Sequence, residues 1–383
     1  MQKLHALGIG GEVLSWIASF LIECKQVVGV DGKNSKPASV KSGVPQGSVL
    51  GPLIFLILIS DIDINLNYTR ASSFADDTRI VAPESNTSRE IVQDELSSVY
   101  HWAQDNKMSF NATKFEHLQY RVNQQIVHDH QYFTEDGSPV MKTTELKDLG
   151  VVMDGDASFD IHIQTMITKA RRQAGWILRA FRTRDQVNMM ILLKATVLPI
   201  LEYCSQLWNP IKAGQVRDIE SVQRYFTSRI VGINHIDYWG RLKILNLYSL
   251  ERRRDRYLIL YVYKIILGIS PNFDDERFKI KTTYSGRRGL SCVLPPIKTT
   301  ATARIKTIVE RSFAVRAPML FNSIPKDIRS DDLSFDAFKS RLDKVLSKID
   351  DTPSFPYLRP RAASNSLIDQ FELMKREGSY YSL

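Results

Sequence analysis

Apolar positions along the chain change their period once, and that change sets the expected architecture. Leu7, Val13, Leu14, Ile17 and Phe20 recur near helical spacing, and Gly8, Gly10 and Gly11 divide them into two short helices. Between Lys25 and Lys41 the pattern alternates, with Val27, Val28 and Val30 ahead of Asp31-Gly32, a two-residue turn signal, so a β-hairpin is predicted. Pro45 to Ile59 is punctuated by Gly and Pro at its start and apolar in its second half, the pattern of a loop feeding a buried helix. Arg70 to Ala82 holds two β-prone runs, Ala71–Ala75 and Thr78–Val81, separated by Asp76-Asp77, which predicts a second hairpin with acids at its tip. Thr87 and Glu90 form a capping-box pattern ahead of Ile91, Val92, Leu96, Val99 and Trp102, marking an amphipathic helix. Short strands are expected around Phe110, Phe115–Tyr120 and Leu149–Met153.

From Ile161 the period becomes helical and stays so. Ile163, Met166, Ile167, Ala170, Ala174, Ile177, Leu178 and Phe181 form one face, and Lys169, Arg171, Arg172, Arg179, Arg182 and Arg184 the other. Further helices are expected at Gln186–Leu207, Gln215–Val231, Ser249–Leu267 and Ser334–Ile349, the last capped by Ser334. The fold class is therefore α+β, with a boundary near residue 155 between an α/β unit (1–155) and an all-α remainder. The remainder divides into a helical region (156–270), a loop plus C-terminal helices (271–349) and a flexible Pro- and Ser-rich tail (350–383).

Composition narrows the function classes. With 383 residues, 43% of them hydrophobic, the chain can bury more than one core. Lys and Arg exceed Asp and Glu by 51 to 42, a net +9 that favours a polyanionic partner, although many proteins carry such charge for solubility alone. The cysteines Cys24, Cys204 and Cys292 stand far apart, without a Cys/His cluster, which argues against a zinc knuckle or a disulfide framework. The apolar runs Val49–Ile59 and Tyr257–Ile269 are too short or too charged to span a bilayer, so no membrane partner is expected, and an intracellular location, nucleus or cytoplasm, is.

Two segments carry chemistry. Adjacent carboxylates such as Asp76 and Asp77 at a hairpin tip offer hard oxygen ligands to magnesium, or to manganese in its place. Two such ions, ~3.5–4 Å apart, are what phosphoryl transfer uses to activate the attacking hydroxyl and stabilise the leaving oxygen. An isolated Asp pair is more often a polar turn. Upstream, Ser42-Gly43-Val44-Pro45-Gln46-Gly47-Ser48-Val49-Leu50-Gly51-Pro52 lets backbone approach a sugar or base, with Gln46 able to donate and accept; the alternative is a helix-entry loop whose Gly and Pro only set the turn.

These residues together resemble a family. SGVPQGSVLGPLIFLILISDI followed by FADD is similar to the reverse transcriptases of jockey-like non-LTR retrotransposons. The similarity continues through WAQDNKMSFNATKFEHL, KDLGVVMDGDASFDIHI, ATVLPILEYCSQLWNP, ESVQRYFTSRIVG and FNSIPKDIRSDDLSFDAFKSRL. The resemblance implies a partial polymerase palm followed by an all-α thumb and a C-terminal helical region. It implies RNA-directed DNA polymerisation, with an RNA template, a DNA primer and deoxynucleoside triphosphates as partners; oligomeric state is left open. Asp76 would hold metal with Asp77 in support, Gln46 and Gly47 would lie against nucleotide and template-primer with Pro45 shaping their loop, and Lys114 would act on pyrophosphate or be an ordinary surface lysine. Lys169, Arg171, Arg172, Arg179 and Arg182 would bind nucleic acid, whereas the Arg252–Arg256 run divides evenly between that role and a solvated face. Tyr203, Trp208, Tyr225, Trp239 and the Tyr257–Tyr263 aromatics are expected to fill the core. In this family a further catalytic aspartate precedes the stretch matching Leu4–Ile9, and here Met1 stands just before it, so the expectation is a metal site short of one acid and a chain inactive on its own. Asp61 and Asp63 are not expected to replace it. The alternative is a non-catalytic nucleic-acid-binding remnant.

Overall fold

In the computed structural model, residues 1–40, 43–83, 88–120, 130–210, 212–270, 280–282, 290–294, 303–353 and 365–382 are described. Their secondary structure is mixed, with many helices and two-stranded antiparallel ribbons, an α+β composition. The chain divides into two units, Met1–His117 with Val127–Lys142, and Leu118–Ile126 with Thr143–Leu383, an earlier division than the expected residue 155.

The first unit opens with α1 (Gln2–Ala6) and α2 (Gly11–Leu21), the two short helices expected. Strands β1 (Lys25–Gln26), β2 (Gly29–Val30), β3 (Lys33–Asn34) and β4 (Ala38–Ser39) nest, β2 on β3 and β1 on β4. Asp31 and Gly32 close the inner pair with left-handed φ of 48° and 75°, the geometry a two-residue hairpin turn demands. Helix α3 (Leu50–Ile59) follows, then β5 (Arg70–Phe74), β6 (Asp77–Val81) and α4 (Arg89–Asp105). Ser88 caps α4 by accepting from the Ile91 N–H; the cap expected from sequence, Thr87, lies outside the described residues. A small core of Ile59, Ile62, Val99, Trp102 and Ala103 takes in Phe55 of α3, Ile80 of β6 and Phe110 beyond α4. The expectation of a buried α3 holds for one face only. Phe55 and Ile59 reach that core, while Leu53 and Leu56 stay 54% and 47% exposed, because the apolar cluster is too small to wrap a helix that is apolar all round.

After β7 (Glu116–Leu118), β8 (Met141–Thr143), β9 (Glu145–Asp148) and β10 (Val151–Asp154), the second unit is mainly helical. Its first core joins α5 (Asp160–Ala180), α6 (Gln186–Leu192), α7 (Leu198–Glu202), α8 (Ala213–Thr227) and α9 (Tyr238–Ile244). The apolar face read from sequence is buried on α5 through Leu178, with Phe181 alone left outside. The second core joins α10 (Leu250–Ile266), β12 (Leu290–Cys292), which pairs with β11 (Ile280–Thr282), α12 (Phe313–Ser323) after α11 (Ala303–Arg311), and α13 (Phe335–Ser347). It also buries Leu367 and Phe371 of α14 (Leu367–Glu377). The expected flexible tail is thus corrected over 365–382: its Pro- and Ser-rich composition conceals an amphipathic helix whose apolar face completes a core. The loop expected to open the 271–349 region contains the β11–β12 ribbon; 271–279, 283–289 and 295–302 lie outside the described residues.

Aromatic expectations divide. Trp208 and Tyr263 are fully buried, but Tyr203 and Tyr225 are 55% and 46% exposed. The Arg252–Arg256 run turns out to be internal rather than a binding surface. Arg252 donates to the carbonyls of Ile349 and Asp350 at 2.7 Å, Arg253 forks onto Glu202, Asp255 accepts from Arg316 at 2.6 Å, and Arg256 forks onto Asp343 at 2.6 and 2.7 Å. Paired this way, arginines can be buried without leaving a bare charge.

Glu220 on α8 lies in the same interior, accepting from the Tyr238 hydroxyl and, at 2.9 Å, from the Leu250 N–H. Burial pushes its carboxyl up to about 7 from an ordinary 4.5. Between those values the folded chain holds a proton that the unfolded chain has released, so stability falls as pH rises through that window. We expect this unit to be less stable at pH 8 than at pH 5 by about 1–3 kcal/mol, read as a lower denaturant midpoint. Glu220→Gln should flatten that difference, and a midpoint difference unchanged by the substitution would refute the assignment.

Candidate metal and nucleotide site

In the β5–β6 hairpin, Phe74 pairs with Asp77, leaving Ala75-Asp76 as the two-residue turn. Ala75 holds a left-handed φ of 52°, a conformation that L residues avoid and that surrounding structure must impose. Strand alternation puts Ile80 into the core and Asp77 on the opposite, open face, with Asp76 at the turn; both carboxylates are exposed. Neither has a hydrogen-bond or ion-pair partner among the described residues. Two adjacent unengaged carboxylates are a hard-oxygen donor set that suits a divalent cation accompanied by phosphate. No group of three or more acidic, His or Cys side chains able to hold a metal occurs among the described residues, so the pair would be part of a metal site and not the whole of it.

Pro45, Gln46 and Gly47 form the turn entering α3, with Gln46 and Gly47 exposed and Gly47 left-handed at φ 82°. Ser48 Oγ donates to the Pro45 carbonyl at 2.7 Å and accepts from the Gly51 N–H at 3.0 Å, folding the loop back over the first helical turn. That is why position 51 is glycine: a Cβ there would stand 2.8 Å from Ser48 Oγ and 3.0 Å from the Pro45 carbonyl oxygen. Gly51→Ala should push the loop outward at a cost of about 1–3 kcal/mol. Amide exchange over Gly47–Leu53 should quicken, and unchanged exchange there would refute the clash. Ser42 of the same motif lies outside the described residues.

Lys114 closes a one-turn 3₁₀ helix, Ala112–Lys114, whose start is capped by Asn111 Oδ1 accepting from Thr113 N–H and Oγ1–H. Phe110 and Phe115 flank the turn and pack with Tyr100 of α4, ring centroids 5.5–5.9 Å apart. The lysine itself is exposed. Phe55 of α3, Ile80 of β6 and Phe110 ahead of Asn111 therefore share one core, so the three motif-bearing segments are anchored to common ground, while Gln46, Asp76 and Lys114 all point outward from it.

Asp61 is otherwise employed. Lys3 Nζ lies 2.6 Å and Trp102 Nε1 2.9 Å from its Oδ1. Burial works to raise its pKa, but hydrogen bonds from Lys3 and Trp102 outweigh that and hold the carboxyl below its ordinary range. Sequence reading overlooked Glu95. Its carboxylate, 6% exposed on α4, accepts from the backbone N–H groups of Asn67 (2.7 Å), Tyr68 (2.8 Å) and Thr69 (2.8 Å), the residues leading directly into β5. The available signal was an acid on the apolar stripe, three residues after Val92 and four before Val99.

In the second unit Lys169, Arg171, Arg172 and Arg179 are exposed on α5 and Arg182 just after it. Arg171 also donates to Ser221 of α8 at 2.9 Å. No helix among the described residues is long and apolar enough to cross a membrane.

Residues 1–153 match the family reverse transcriptase (RNA-dependent DNA polymerase). Similar proteins include the RNA-directed DNA polymerase from mobile element jockey of Drosophila funebris, 27% identical over 238 residues, covering 58% of this chain and 25% of that protein. Its Drosophila melanogaster counterpart is 25% identical over 240 residues, 56% of this chain and 25% of the relative. A probable RNA-directed DNA polymerase from transposon X-element of Drosophila melanogaster is 25% identical over 203 residues, 51% and 22% respectively. The chain spans about a quarter of the length of these relatives. Motif order, family match and relatives agree on a similarity: residues 1–153 are similar to reverse transcriptases, and more than half of the chain is similar to RNA-directed DNA polymerases of the jockey and X-element mobile elements.

Proposed function

We propose that the first unit is part of a polymerase palm serving RNA-directed DNA synthesis, and that the helical region after it is thumb-like and holds the template-primer. The observation that carries this reading is the pair of exposed, unengaged carboxylates, Asp76 and Asp77, on a hairpin whose strand shares a core with the Gln46 and Lys114 segments. Asp76 and Asp77 would hold magnesium, or manganese in its place, which when bound activates the primer hydroxyl and stabilises the leaving oxygen. Gln46 and Gly47 offer side-chain amide and open backbone to the incoming deoxynucleoside triphosphate, and Pro45 fixes their turn. Lys114, exposed at the end of its short helix, supplies a proton or a positive charge to the departing pyrophosphate.

Among the described residues no third acid joins the pair, and two carboxylates cannot bridge two cations as three can, so the 383-residue chain by itself is expected to bind a template-primer yet not extend it. The test is primer extension on an RNA template with magnesium. Binding without extension supports the reading; extension that survives Asp76→Asn overturns the assignment of the hairpin. A second reading, nucleic acid held without chemistry, is favoured by the run from Ile161 to Arg184, which contains Lys169, Arg171, Arg172, Arg179, Arg182 and Arg184 and no acidic residue. It predicts a steep fall of affinity with salt but no effect of Asp76→Asn on metal binding.

A further inference from the structure

At 100° per residue, Lys169, Arg172, Trp176 and Arg179 fall within an arc of about 80° on α5, opposite the buried Ile163, Ala170, Ala174 and Ile177. Trp176 is 53% exposed in the middle of this basic stripe. Its ring stands edge-on to Phe181, itself 40% exposed, with centroids 6.3 Å apart and planes at 83°. The face is extended by α8, which runs alongside α5 in the same direction: Lys212 and Gln215 meet Asp160, Arg171 meets Ser221, and the Val231 N–H donates to the Arg184 carbonyl. One turn beyond Ser221, Tyr225 is 46% exposed with the Arg229 guanidinium over its ring at 5.2 Å.

We propose that this face takes unpaired nucleic acid, with Trp176 stacking on a nucleobase while Lys169, Arg172, Arg179 and Arg182 follow the phosphates. The inference deepens the nucleic-acid reading above and rests on it. Three features of the molecule favour this occupant. The stripe is complementary in charge to a phosphodiester backbone, and the only acid of α5, Asp160, sits at its far start and is engaged by Lys212 and Gln215. An indole exposed among cations offers a π-face that any base can cover, and stacking of this kind tolerates sequence. The edge contact from Phe181 holds the indole in place before binding, so little side-chain freedom is lost on stacking. A base inside a duplex has both faces covered by its neighbours and gains nothing from the indole, which makes the preference one for single strands.

The experiment is fluorescence anisotropy of the 383-residue chain with a short labelled oligodeoxythymidine, the matching oligouridine, and a blunt duplex of equal length, over a salt series. Trp176→Leu should weaken both single strands roughly 10- to 100-fold and the duplex less than about twofold, with the salt slope unchanged. Trp176→Phe should recover most of the loss. Arg179→Gln should weaken single strand and duplex alike and reduce the salt slope by roughly one. Trp176→Leu binding the single strands as tightly as wild type, or losing strand and duplex equally, overturns the proposal. Because the readout is binding alone, it is independent of whether Asp76 and Asp77 support extension: the stacking face can fail while the metal hairpin stands, and the reverse.

Discussion

Asp76→Asn is expected to abolish manganese binding at the hairpin tip, read by water-proton relaxation, while nucleic-acid affinity and thermal midpoint stay as in wild type. The separation follows from where the residue sits. Asp76 is exposed, lies in a turn, makes no contact that the fold needs, and belongs to a different unit from the basic α5 face. An amide is nearly isosteric with the carboxylate but lacks its charge, and hard divalent cations held by few protein ligands depend on that charge. In a similar polymerase that extends a primer, the matching substitution should cost roughly 10³-fold in the rate of nucleotide addition, several kcal/mol of charge stabilisation lost. Asp77→Asn should weaken metal binding as well. Manganese affinity unchanged in both variants would remove the hairpin from the chemistry and leave Asp76-Asp77 as an ordinary polar turn.

How much of this was legible beforehand depended on whether a feature is local. Hairpins were visible because Asp31-Gly32 is a turn signal acting over two residues and because Asp76-Asp77 interrupts two β-prone runs, although the second turn falls one residue earlier, at Ala75-Asp76; α5 was visible because its apolar face repeats without interruption. Ser249 and Ser334 cap their helices as side-chain chemistry dictates, accepting from Arg252 N–H and Ala337 N–H. What escaped was long-range. Arg252 reads as part of a charged run until Ile349 and Asp350, nearly a hundred positions on, are seen to supply its acceptors. The helix at Leu367–Glu377 is surrounded by tail-like composition, and only the core of α10 and α12 explains why Leu367 and Phe371 are apolar. Exposure of Leu53 and Leu56 was hidden for the same reason, since counting apolar residues does not say which faces find a partner. Trp176 was lost within a run read for its charges, although its spacing from Arg172 and Arg179 placed it on their stripe.

Glu95→Ala should have the largest effect on stability in the first unit, because three consecutive backbone N–H groups lose their acceptor together. Asn67, Tyr68 and Thr69 donate to one carboxylate, Thr69 is itself buried, and the chain passes from them straight into β5. Leaving such donors unmatched costs about 3 kcal/mol or more, larger than one ordinary hydrogen bond, since the acceptor is charged. The consequence should spread along the strand: amide exchange over Arg70–Val81 should accelerate, and manganese affinity at Asp76 should drop although no metal ligand has changed. Glu95→Gln, which keeps shape but presents a donor to one of those N–H groups, should show a smaller loss of the same kind. Protonation should mimic it. Burial tends to raise the Glu95 pKa, but hydrogen bonds from Thr69 and from the backbone N–H groups prevail and depress it, so the stabilisation is present above the ordinary carboxylate range and lost as pH falls through the lower folded value. The stability gap between wild type and Glu95→Gln should accordingly narrow as pH is taken from about 6 towards about 3. Exchange over Arg70–Val81 that is indifferent to Glu95→Ala would show that the hairpin is held by its own pairing and the core contact of Ile80, and that Glu95 only orders the loop before it.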